Sequence, residues 1–269
     1  MAMSIRNYAP RRNRRRGISR RLNILLVTVL SIAIGLQIIY PLVDGEALRL
    51  ITIAVVYWGA GAMLLHALLA FGARYAFTYL VFTFLFALII EHIGVVTSWP
   101  FGEYTYSPDL GLRIYEVPLV VPFAWIMMAH PVLVLSRRIA GNWVFFYGGV
   151  VLAAWDLFLD PLMVASGRWT WVVSGSHVPF QPEIPLSNTF GWLLTGMALM
   201  SVLHVILPRE RLKIGASFVA VDIYLIWILF SGVIGNLFFF HRPGVALFAG
   251  AIFGAVLAPY FFARWLGRP

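Results

Sequence analysis

Apolar residues fill most of this chain in stretches of about 20, the length a helix needs to cross the hydrocarbon core of a bilayer. The stretches are Leu22–Val43, Leu50–Phe71, Tyr75–Val95, Val117–Leu135, Trp143–Ala165, Thr189–Leu207, Ile214–Gly235 and Gly244–Trp265. Within each, apolar residues follow one another without the strict alternation of a barrel strand. Helices and closed barrels alone satisfy every backbone group in lipid. The pattern therefore predicts an all-α fold, a polytopic transmembrane helical bundle of eight helices. Seven is the alternative if Pro259 breaks the last span.

Composition narrows the picture. Of 269 residues, 61% are hydrophobic, 16% aromatic and 12% charged, the last about half the roughly 25% of a soluble domain. That excludes a water-soluble enzyme, a disordered chain and an ordinary nucleic-acid binder. The chain has no cysteine, which excludes disulfides, thiolate catalysis and zinc–thiolate sites.

The net charge of +9 changes meaning once it is located. Eight of the 20 basic residues (Arg6, Arg11, Arg12, Arg14, Arg15, Arg16, Arg20 and Arg21) precede the first span. Such a segment holds the N-terminus in the cytoplasm and attracts anionic lipid headgroups. The apolar run behind it is too long for a cleavable signal peptide and lacks a small-residue cleavage site. With the N-terminus inside, Arg74, Arg137, Arg138, Arg209, Arg211, Lys213, Arg264 and Arg268 join those eight on the cytoplasmic side, and only Arg49, Arg113, Arg168 and Arg242 lie outside. Sixteen against four fits the positive-inside rule. The expected organisation is a cytoplasmic Arg-rich segment, 1–21, followed by one integral membrane domain, 22–269, with both termini cytoplasmic and the protein in the plasma membrane.

Two outer connections are long, Val96–Glu116 and Ser166–Asn188, and rich in Trp, Tyr, Pro and Gly. They read either as an interfacial aromatic belt or as a structured cap over a site in the outer half of the bundle. Gly148-Gly149 and Gly59-Ala60-Gly61 read as close helix packing.

Acidic residues are scarce enough to place individually. Asp44, Glu46, Glu103, Asp109, Glu183 and Glu210 fall in loops, Glu116 sits at a helix start, and Glu91, Asp156, Asp160 and Asp222 lie within spans. A charge at mid-membrane costs at least about 2.5–3.5 kcal/mol, so such groups face the bundle interior. Asp156 and Asp160 stand at i and i+4, on one helix face. Two carboxyls that close in a low dielectric do not both ionise cheaply, so one is expected to keep a proton, which suits an acid–base pair. Glu91 lies at a similar depth in the third span. The structural alternatives are pairing of Asp156 or Asp160 with Arg168, and of Glu91 with His92 or Arg113. Asp222, nearer the cytoplasmic end, reads as structural, paired with Lys213 or with groups on another helix. The six histidines are scattered, with no helical pair of metal-ligand spacing, so no metal site is expected.

Three segments carry a resemblance. They are Glu91-His92-Ile93-Gly94 running into Trp99-Pro100-Phe101-Gly102-Glu103-Tyr104-Thr105-Tyr106, then Asp156-Leu157-Phe158-Leu159-Asp160-Pro161 running into Gly167-Arg168-Trp169-Thr170-Trp171, and Pro185-Leu186-Ser187-Asn188-Thr189-Phe190-Gly191-Trp192. As a set they resemble the membrane-bound carotenoid biosynthesis family that contains the acyclic-carotenoid 1,2-hydratases, bisanhydrobacterioruberin hydratases among them. The resemblance implies addition of water across the terminal isopropylidene double bond of an acyclic carotenoid, a hydro-lyase reaction that needs no cofactor. It implies Asp156 and Asp160 as the acid–base pair, with Glu91 orienting water or serving as the other proton donor. Tyr104, Tyr106, Trp169, Trp171, Asn188 and Trp192 are the implied end-group contacts. The expected partners are the carotenoid, water, membrane lipids and other carotenoid biosynthesis enzymes, with no nucleic acid. The competing readings are an end-group cyclase, a proton-coupled transporter, and a lipid- or carotenoid-binding protein without catalysis.

Overall fold

The computed structural model describes residues 17–208 and 212–267. Arg6, Arg11, Arg12, Arg14, Arg15, Arg16, Arg209, Glu210, Arg211 and Arg268 lie outside the described residues. Among the described residues, eight helices long and apolar enough to cross a membrane follow one another: α1 (Arg20–Ile39), α2 (Gly45–Phe71), α3 (Ala73–Thr97), α4 (Val120–Ile139), α5 (Val144–Ala165), α6 (Leu186–Ile206), α7 (Val219–Ile234) and α8 (Pro243–Trp265). The chain is an all-α, multi-pass membrane protein. Ser19 caps α1 by accepting from the Leu22 N–H, and α7 passes into a π-helical turn over Gly235–Phe239. Pro259 sits inside a continuous α8, so the eighth span is unbroken. Glu46, expected in a loop, lies in the first turn of α2 and pairs with Arg49 one turn on.

Central and peripheral helices differ sharply. In α4, 83% of the spanning stretch is buried within the protein, and in α5 72%, whereas in α1 it is 17% and in α3 22%. Lipid thus covers the outer helices, and α4 and α5 form the interior of the bundle. The α5–α6 seam is the closest. A Cβ on Gly149 would fall 2.8 Å from the Met197 nitrogen, and one on Gly196 would fall 3.1 Å from the Gly149 Cα. With no hydrophobic drive between helices in lipid, small residues that let backbones meet supply the packing energy. Gly59 serves the α2–α4 seam in the same way, against Met127, but Gly61 faces open space and packs nothing.

Asp222 is structural in this fold. It accepts from the Tyr260 hydroxyl at 2.6 Å and from Arg264 at 2.9 Å, which joins α7 to α8. Lys213, the other partner considered for it, contacts the Leu68 carbonyl instead.

The two long connections form a cap on one side of the bundle. Strand β1 (Tyr104–Tyr106) pairs antiparallel with β4 (Trp169–Trp171), in the register Tyr104–Trp171, Thr105–Thr170 and Tyr106–Trp169. Two small hairpins flank them, β2 (Arg113–Ile114) with β3 (Val117–Pro118), and β5 (His177–Val178) with β6 (Gln181–Pro185). Because Val117 and Pro118 are used in that hairpin, α4 starts at Val120 and not at Val117. Glu183 forms an ion pair with Arg242, tying the cap to the start of α8.

Candidate active site

Strand pairing in the cap decides which side chains face down into the bundle. Side chains on a strand alternate, so Tyr104 and Tyr106 share one face while Thr105 points away and meets Thr170 at 3.0 Å. Both tyrosines reach the same acid on α3. The Tyr104 hydroxyl donates to Glu91 Oε2 at 2.8 Å, and the Tyr106 hydroxyl donates to the same oxygen at 2.7 Å. From α4, Trp125 Nε1 donates to Glu91 Oε1 at 2.9 Å. Gly94, one turn beyond Glu91, makes room for this approach, since a Cβ there would lie 2.6 Å from the Tyr104 hydroxyl. Neither His92 nor Arg113 partners Glu91: His92 lies against the Tyr115 ring, and Arg113 pairs with Glu116.

The second acidic group sits on α5. Asp156 and Asp160 share a helix face one turn apart, and Asn188, in the first turn of α6, bridges them through one amide nitrogen. Its Nδ2 donates to Asp156 Oδ2 at 2.9 Å and also to Asp160 Oδ2. Trp169 Nε1 on β4 donates to Asp160 Oδ1 at 3.0 Å. Arg168 forms no ion pair with either aspartate among the described residues; it lines a separate outer recess with Glu46, Arg49 and Asp109. Glu91, Asp156, Asp160 and Asn188 are between 1% and 4% exposed. Asp156 Oδ1 and Asn188 Oδ1 are buried with no hydrogen-bond partner among the described residues. A buried polar atom left so is costly unless it has work to do.

Glu91, Asp160 and Asn188 border one apolar chamber of about 60 Å³ below the cap. Its walls include Glu91, Asp160, Asn188, Tyr104, Tyr106, Trp169, Trp171 and Trp192. The structure thus brings together every expected contact residue and two of the three acids. Asp156 is not a wall residue; it stands behind Asp160, one turn deeper.

Trp125 completes the floor, with its indole stacked on Trp192 at 4.4 Å and 11°. Sequence reasoning passed over Trp125 because a tryptophan inside an apolar span looks like any packing residue. Its only distinguishing signal is an indole N–H in a span that needs an acceptor. Burial, and after it the neighbouring Glu91 carboxylate, push both tyrosine phenols well above their ordinary range. Tyr104 and Tyr106 therefore remain protonated donors.

Away from the chamber, two histidines meet although their sequence spacing did not suggest it. His66 on α2 and His130 on α4, scattered in sequence, meet at 2.8 Å between Nδ1 and Nε2, with the other His66 nitrogen 3.0 Å from the Ser217 carbonyl oxygen. Among the described residues no three His, Asp or Glu side chains group closely enough to hold a metal ion.

Fold and site together define an integral membrane bundle whose interior holds a capped, acid-lined apolar chamber. The sequence profile of the family described as "Carotenoid biosynthesis protein" matches residues 51–257, most of the bundle and the whole cap, and the chain belongs to that family. Among curated proteins it is similar to a bisanhydrobacterioruberin hydratase from Haloarcula japonica, with 31% identity over 179 residues, 62% of this chain. The match spans 59% of that relative's length. No solved structure matches.

Proposed function

We propose that the protein hydrates an acyclic carotenoid, adding water across a terminal isopropylidene double bond to give a tertiary alcohol. The observation that carries this reading is the convergence of two separately hydrogen-bonded carboxyl clusters on one aromatic, apolar chamber. Family membership and the hydratase relative point the same way.

An isolated trisubstituted alkene needs a strong, positioned acid. In this reading Asp160 faces the chamber and delivers a proton to carbon 2, leaving a tertiary cation at carbon 1. Asp156 stands behind it on the shared Asn188 amide. Two like charges that close are costly in a low dielectric, so the aspartate pair holds one proton between them as a unit. Glu91, with three donors aimed at its oxygens, is the carboxylate best suited to remain an anion. It orients the attacking water and takes its proton as the C–O bond forms. The chamber's indole and phenol faces stabilise the cation in transit. The proton that Glu91 takes from water returns to the aspartate pair before the next turnover, which closes the cycle, and because hydration moves no electrons it calls for no redox cofactor. The positive-inside bias orients the bundle with both termini in the cytoplasm of the plasma membrane and the cap outside.

The test is expression in cells that accumulate lycopene. A product heavier by one or two waters, with unchanged double-bond absorbance, supports hydration. A ringed product of unchanged mass would assign the chamber to cyclisation, in which an internal alkene captures the same cation.

A further inference from the structure

A chamber of about 60 Å³ holds only the end of a long polyene, so the rest of the chain must lie elsewhere. A second cavity, of about 160 Å³, adjoins the chamber and shares four wall residues with it. These are Thr52 and Val56 from α2 and Leu159 and Met163 from α5. Past that common wall the second cavity is bounded by Gln37 of α1 and Tyr40 in the turn that follows it, and by α7, through Ile228, Ser231 and Gly232. None of its wall residues is charged.

Its position has a direction. The chamber is walled largely by buried helices and the cap, whereas α1 and α7 are peripheral, with 17% and 33% of their spanning stretches buried. The second cavity therefore leads from the bundle centre toward the lipid. The α7 wall is specialised. Gly232 and Gly235 put no side chain into it, and at Gly235 the helix changes to π-helical winding, a feature common at functional sites. A Cβ on Gly232 would come within 2.9 Å of the Phe158 ring, so the wall has no slack. The Asn236 amide in the π turn folds back on the Gly232 carbonyl at 2.8 Å, so its N–H is spent within α7.

We infer that this second cavity is the berth of the substrate's polyene chain. The isopropylidene end passes between the α2 and α5 walls into the chamber, and the adjoining conjugated chain lies between α2, α5, α1 and α7, extending toward lipid. This rests on reading the chamber as a carotenoid end-group site. A carotenoid dissolved in lipid reaches the acids from this side, and the paired strands of the cap lie over the opposite, aqueous end. An apolar chain gains little by exchanging lipid for an apolar cavity, so its hold comes from shape and contact. A stiff polyene in a fitted slot also aligns its end with Asp160.

The experiment measures lycopene bound by purified protein in detergent micelles, from visible absorbance and the induced circular dichroism of the polyene band. Ser231→Phe on α7 and Leu162→Trp on α5 fill the second cavity from opposite walls without touching the chamber. Both filled variants should lower bound lycopene at least about tenfold, while Gly61→Ala, a change outside both cavities, binds as the wild type does. Hydration of a ten-carbon alkene bearing the same isopropylidene end should survive Ser231→Phe. Wild-type lycopene binding in a folded Ser231→Phe or Leu162→Trp variant would overturn the berth, as would absence of lycopene binding by the wild type. Wild-type protein that binds lycopene with the induced signal and forms no alcohol would sink the hydratase reading and leave the berth standing.

Discussion

The chemistry rests on a few polar atoms, of which Asp156 Oδ1, Asn188 Oδ1 and Trp171 Nε1 are buried without a partner among the described residues. Glu91 has three donors, Asp160 has two, and Asp156 keeps one oxygen without a partner among the described residues. Replacing Tyr106 with Phe removes one donor from Glu91 and keeps the ring. A hydrogen bond to a charged group is worth about 1.5–3 kcal/mol, so hydration should fall about tenfold or more with the fold intact, read as product per unit of protein in membranes. An unchanged rate would remove Glu91 from the reaction. Because burial and Glu91 raise the phenols, ionisation of Tyr104 and Tyr106 should cause no loss of rate up to about pH 10. Asp156 and Asp160 are legible in the sequence because i, i+4 spacing fixes a common face whatever surrounds it. The Glu91 cluster is not legible as a geometry: Trp125 is 34 residues away, and nothing local marks that indole as a donor and not as packing.

At the scale of elements, span length and apolar continuity are enough to place eight helices, because the bilayer imposes both. The ends are harder to place. Val117 and Pro118 are apolar and read as helix, yet they close a hairpin in the cap, and the sequence holds no sign of that until the strands are paired. The glycines divide likewise: Gly149 is a true contact of α5 with α6, while Gly61 meets nothing. Gly149→Val inserts an isopropyl group where the Met197 backbone nitrogen and the Leu193 carbonyl oxygen stand about 3 Å from any Cβ. Overpacking of this kind costs about 1–3 kcal/mol. Thermal unfolding in detergent should show a clear drop for Gly149→Val and almost none for Gly61→Ala. Because α5 carries both aspartates and α6 carries Asn188, the same change should lower activity. Equal unfolding temperatures for the two variants would contradict the assigned seam.

On the whole-molecule scale, the bundle brings distant parts of the chain to one place, as when His66 meets His130 or the cap strands of two loops pair across 65 residues. Such meetings follow from tertiary packing and cannot be read from local pattern. The side of the membrane on which the cap lies is accessible to experiment, since the chain has no cysteine of its own. A cysteine placed at Ser174, in the cap, should react with a membrane-impermeant maleimide in intact cells, and one at Asn142 only after permeabilisation; the reverse pattern would invert the topology. The central claim, water addition driven by the buried acids, is tested most directly by the origin of the new oxygen. Lycopene-accumulating cells expressing the wild type in heavy-oxygen water should form a tertiary alcohol whose hydroxyl carries the label, while cells expressing Asp160→Asn should form almost none. An unlabelled hydroxyl, or a labelled alcohol made equally well by Asp160→Asn, would contradict it.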